Sequence, residues 1–92
     1  SNKKIRLRKL WIAYGMAPVS NVFIDEGAAN ALLKNASLLS KGVVSVDKSF
    51  KIGDGLSIVF NKKIVAKGIA KTDSTTVGES SVLIHKDDLI IL

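Results

Sequence analysis

The chain has 92 residues, 47% of them hydrophobic, with 14 Lys and Arg against 8 Asp and Glu and no cysteine. That length allows one domain with one small core and little spare volume for a deep cleft, and without thiols there are neither disulfides nor thiolate metal sites. No apolar run approaches the roughly 18 residues that cross a membrane, and there is no signal-peptide pattern, so a cytoplasmic domain without membrane contact is expected.

The net charge of +6 is unevenly spread. Lys3, Lys4, Arg6, Arg8 and Lys9 cluster with no acid before Asp25. Such a cluster attracts nucleic acid or an acidic protein face; the plainer alternative is a solvated tail or linker. Residues 1–10 read as a basic lead-in with Leu10-Trp11-Ile12-Ala13 as its apolar anchor, and Gly15 and Pro18 then punctuate the chain. "NVFID" (21–25) carries strand formers and stops at Asp25. Asp25 suits a helix N-cap, because its carboxylate accepts an orphan backbone N–H, and Glu26 falls where the helix dipole favours an acid. The apolar positions 28, 29, 32 and 33 form one stripe. The spacing predicts a helix over 26–34 that stops at a left-handed Asn35, and "SLLSKG" has room for one more turn before Gly42.

From Gly42 the period becomes two. "GVVSVD" (42–47), "LSIVF" (56–60) and "IVAKGIA" (64–70) read as strands, with Asn61-Lys62-Lys63 a polar link suited to a hairpin. "KTDSTTVGES" (71–80) reads as a loop, and "SVLI" (81–84) and "LIIL" (89–92) as strands around "HKDD". Five or six short strands and one early helix, regularly spaced by turns, point to a small barrel. The apolar chain end needs a sheet to hold it, so the final strand is expected to close the barrel against an early one.

Gly53-Asp54-Gly55 fits neither a phosphate loop nor a dinucleotide fingerprint, since the required glycine and lysine spacing is missing and a strand follows. A calcium loop needs several spaced carboxylates, and only Asp54 is there. The triplet reads as a turn, with Gly53 at positive φ and Asp54 bonding nearby backbone, and with Phe50 and Ile52 packing inward ahead of Leu56. His85, the one histidine, stands beside Lys86, Asp87 and Asp88. An acid/base pair is conceivable there. However, no nucleophile motif frames Ser80 or Ser81, and the ligands are too few for a metal. A polar turn is the simpler reading, and no catalytic or metal residue is assigned. Of Trp11, Tyr14, Phe23, Phe50 and Phe60, the three phenylalanines lie in strand-like contexts and are expected in the core, which argues against base stacking. Phosphate contact through Lys and Arg stays open. Lys41, just before Gly42, is a candidate, with a solvated loop lysine as the alternative.

Read together, residues 37–70 resemble the PUA domain, through Gly42-Val43, Phe50 with Gly53-Asp54, and Ala66 and Gly68. The flanks are similar to the PUA domain at the C-terminus of glutamate 5-kinases: Arg8-Lys9-Leu10-Trp11-Ile12-Ala13, then Asp25-Glu26-Gly27-Ala28, and "LIHKDDLIIL" at the end. One departure is a short Lys71–Ser81, where that family carries a longer, partly helical insert. The resemblance implies a mainly β fold with one or two short helices, a PUA-like pseudo-barrel of five to six strands. It implies a PUA domain at 15–92 and a basic junction at 1–14 to a kinase domain of the same chain, with Arg8, Lys9 and Trp11 at the join. The parent would be a homo-oligomeric cytoplasmic enzyme that uses ATP and magnesium to phosphorylate glutamate, the first step of proline biosynthesis. This chain would hold no cofactor and act as a non-catalytic regulatory or interaction module. The alternative is an RNA-binding PUA module of an RNA-modification or translation-linked protein, with Lys34, Lys41, Gly42 and Lys86 on the RNA face.

Overall fold

Asp25 ends one element and starts the next. The computed structural model describes residues 2–92. Strand β1 (Ser20–Ile24) stops at Asp25, whose Oδ1 accepts the N–H of Ala28 at 2.7 Å and caps helix α2 (Glu26–Leu33). The helix ends as the sequence predicts, with Asn35 at φ 62°. A two-residue strand β2 (Leu38–Leu39) leads into a 3-10 turn (Ser40–Gly42), and β3 (Val43–Val46) follows. Strands β4 (Gly55–Phe60) and β5 (Lys63–Ile69) form a hairpin whose two turn residues, Asn61 and Lys62, both have positive φ, the geometry that matches the twist of paired strands. A link with a 3-10 turn at Ser74–Thr76 reaches β6 (Val82–Ile84), and a last 3-10 turn (Lys86–Asp88) delivers β7 (Leu89–Ile91).

Five strands make one mixed sheet in the order β3-β1-β4-β5-β7, with β1 and β4 parallel and the other pairs antiparallel; β2 and β6 pair separately. Gly55, Leu56, Ser57 and Ile58 of β4 are all buried, so this central strand is covered on both faces. Around it pack Val22, Ile24, Leu32, Leu38, Phe50, Leu83 and Ile84. The small sheet is fastened by the fully buried Ser40. Its N–H donates to Ser81 O at 2.8 Å, its carbonyl accepts from Gly78 N, and its hydroxyl meets those of Thr76 and Ser81.

The architecture is mainly β, as expected, but four details differ. The final strand does not lie against an early one: β7 pairs only with β5, as Gly68 with Leu89 and Ala66 with Ile91. β1 already has β3 on one edge and β4 on the other and has no edge to offer, so β7 adds to the edge of β5. The segment read as a basic lead-in over 1–10 with an apolar anchor at 10–13 forms, over its described residues, helix α1 (Asn2–Tyr14), which packs on β5, β7 and the last 3-10 turn with Ile12 fully buried. Ile52 is 71% exposed, because it sits at the corner of the Gly53 turn, while Phe50 is buried. Phe23 points out from the β1 face opposite the buried Val22 and Ile24, and Phe60 is only partly buried.

Candidate functional site

The Gly53-Asp54-Gly55 segment is a turn. Gly53 has φ 91°, its N–H donates to Ala70 O, and Asp54 Oδ2 accepts from Lys51 N at 2.8 Å. Gly55 leaves room for the Met16 side chain, which would collide with any Cβ there. His85 is a cap: its Nδ1 accepts the N–H of Asp87 at 3.1 Å, and Asp87 Oδ2 lies 3.7 Å away. Among the described residues no three His, Asp or Glu side chains gather as a metal site.

The concave surface lies elsewhere, along α2. A groove of about 490 Å³ runs between the helix and the segment after it, lined by Asp25, Gly27, Ala28, Ala31, Ala36–Leu39, Lys41 and Gly42. Small residues make it: a Cβ on Gly42 would stand 2.6 Å from Ala28 Cβ, so only glycine lets the loop lie this close to the helix. The Gly42 carbonyl accepts the N–H of Asp25 at 3.0 Å and fixes the contact. Lys41 stands exposed at the rim. At the other end, Lys86 N donates to Ser37 Oγ at 2.8 Å, tying the C-terminal turn to the loop after α2. Lys86 shares a smaller hollow with Lys9, Asn35 and Ala36, and Ala36 also lines the groove, so the two hollows adjoin at that residue. The groove is apolar, with Lys41 and Asp25 as its charged residues, whereas Lys9 and Lys86 belong to the polar hollow beyond Ala36, with Asp87 close by.

Of the four residues expected on an RNA face, Lys41 and Gly42 line the groove and Lys86 the hollow beside it. Lys34 is exposed at the end of α2 but lines neither. Lys9, expected at an interdomain junction, comes to this face because α1 folds back across the C-terminal turn. Only recognition of α1 as a helix would have placed it there. Arg8 Nη1 lies 3.0 Å from Asp88 Oδ1, an ion pair in which no N–H points at the oxygen. It holds α1 to the C-terminal turn. Trp11 is half-exposed and lies over Gly15.

Residues 20–82 match the PUA domain, more than half of the chain. The chain belongs to the PUA domain family. A glutamate 5-kinase of Thermoanaerobacter sp. (strain X514) is 33% identical over 109 aligned positions, which take in 98% of this PUA chain and 29% of the enzyme; the corresponding regions in such kinases are C-terminal. The chain thus spans less than a third of the length of the curated relatives it matches. The alignment is longer than the 92 residues here, so that relative carries additional residues within the matched region. Among solved structures, a PUA domain from Aeropyrum pernix K1 superposes with a TM-score of 0.62 at 28% identity, covering 85% of this chain and 48% of that one. A chain of the archaeal box H/ACA sRNP Nop10-Cbf5 complex gives 0.62 at 26% identity, covering 79% and 23%. Among the described residues no helix is long and apolar enough to cross a membrane.

Proposed function

We propose that this PUA domain is a non-catalytic module of a glutamate 5-kinase, with a regulatory or interaction role toward the kinase portion of the same chain. The observation that carries this reading is the extent of the match. The PUA family match begins at residue 20, whereas the kinase match takes in nearly all 92 residues, α1 included. Chemistry on glutamate, with ATP and magnesium, then belongs to the kinase portion of a homo-oligomeric cytoplasmic parent, the enzyme of the first step of proline biosynthesis. Residues 1–14 are the junction to it, with Arg8, Lys9 and Trp11 at the join. The test is an assay for hydroxylamine-trapped γ-glutamyl phosphate. The full-length protein forms the product with ATP, magnesium and glutamate, and the 92-residue chain forms none; turnover by the short chain overturns the reading.

A second reading is favoured by Lys41 at the groove beside α2, by Lys9 and Lys86 in the adjoining hollow, and by the likeness to a chain of a box H/ACA ribonucleoprotein. Here Lys34, Lys41 and Lys86 contact RNA phosphates and Gly42 lets the backbone approach. Binding of structured RNA would then weaken steeply with salt, and Lys41→Ala or Lys86→Ala would each lower the salt slope by about one. Undetectable binding at low salt removes this reading.

A further inference from the structure

Helix α1 is apolar on two opposite sides. At 100° per residue, Ile5, Ile12 and Ala13 share the side that faces β5 and β7; Ile12 is fully buried and the other two partly so. Leu7, Leu10, Trp11 and Tyr14 fall at i, i+3, i+4 and i+7, the spacing of one helical stripe, on the opposite side. They are 58%, 49%, 55% and 86% exposed. Arg6 flanks this outer stripe on one side, and Lys4 and Arg8 on the other. A helix apolar on opposite faces is one built to be covered on both, and four large apolar side chains in one row mark an interaction surface.

We infer that the Leu7–Leu10–Trp11–Tyr14 stripe is the docking surface for the part of the parent chain that precedes residue 1. This rests on the kinase-module reading. The PUA family match starts at residue 20 and leaves α1 outside it. The kinase match includes α1, and more than two thirds of that enzyme lies outside the match. α1 is also the element nearest in sequence to any preceding part. The basic flanks specify the seat: an apolar patch rimmed by carboxylates, met by Lys4 and Arg6, while Arg8 is already engaged with Asp88.

The experiment places a benzophenone amino acid at position 14 (Tyr14→p-benzoylphenylalanine) in the full-length protein, irradiates it and maps the cross-linked peptides, with glutamate phosphorylation assayed on the same sample. The expected result is a cross-link to a peptide preceding residue 1, reduced severalfold by Leu10→Glu with an unchanged far-UV circular dichroism spectrum. A cross-link to residues 1–92 of another copy, a cross-link to co-purified RNA, or no cross-link overturns the inference. A full-length protein that cannot phosphorylate glutamate overturns the kinase reading instead, and the cross-link map is still readable.

Discussion

Replacing Gly42 by alanine tests whether the groove is a rigid feature of the fold. The new methyl carbon would stand 2.6 Å from Ala28 Cβ, where carbon atoms in contact keep about 3.5–4.0 Å. The loop and α2 must therefore part by about 1 Å. The Gly42 φ lies outside the left-handed region, so no backbone strain is added. Overpacking of this kind costs about 1–3 kcal/mol, and each kcal/mol lowers Tm by about 4–8 °C in a domain of this size. The next atoms the methyl would meet are Ala28 Cα at 3.7 Å and Asp25 Oδ1 at 3.9 Å, both ordinary contacts. Ala28→Gly thus removes the whole clash, against about 1 kcal/mol for a glycine inside a helix. The double variant Gly42→Ala/Ala28→Gly should be more stable than the sum of its single changes by about 1–2 kcal/mol. Urea unfolding followed by far-UV circular dichroism measures all four proteins, with a constant m-value as the check on two-state behaviour. A neutral Gly42→Ala, or a double variant equal to the sum, refutes the close approach of loop and helix.

Asp25→Ala removes the cap on α2 and should lower stability by about 1 kcal/mol, read as a Tm decrease of about 4–8 °C. Leu38, almost fully buried, and Ile52, largely exposed, should behave oppositely: Leu38→Ala costs about 2–5 kcal/mol, and Ile52→Ser stays within about 0.5 kcal/mol of the parent in the same denaturation assay. Asp47 is held below the ordinary aspartate range by the backbone N–H of Asn21, then by the Asn21 side chain, with smaller help from Ser20 and Lys48. Asp73 is held low by the Thr75 hydroxyl and backbone N–H. Both folded values are depressed, so the stability they supply is present above the ordinary value of 3.8 and is lost as pH falls through the lower folded values. The urea midpoint should drop as pH falls below the ordinary aspartate value, and Asp47→Asn should flatten that drop.

Local signals carried the middle of the molecule. Asp25, the stripe at 28, 29, 32 and 33, and Asn35 bound α2 because a cap, a period and a left-handed stop act within a few residues. The same holds for the hairpin at Asn61-Lys62 and the turn at Gly53. The ends were less legible. Helix α1 has its apolar residues on two opposite sides, which blurs the single stripe that marks an amphipathic helix, and five basic residues among its first nine positions read as a solvated tail. The partner of β7 could not be read because pairing depends on which edge other strands leave free, a property of the whole sheet. The groove was missed because it is formed by a small residue, Ala28, whose neighbour Gly42 is 14 positions away. The adjoining hollow draws Lys9 from α1 and Lys86 from the C-terminal turn, elements that no sequence motif joins.

Because β7 completes the sheet beside β5 and underlies α1, the fold cannot close before the segment after β6 is available. Until residues 86–91 have left the ribosome, β5 keeps an open edge and Ile12 has no floor to rest on. Chains are made at about 5–20 residues per second and fold from the N-terminal side, so α1, the first of these elements to be made, is the one that waits longest for its contacts.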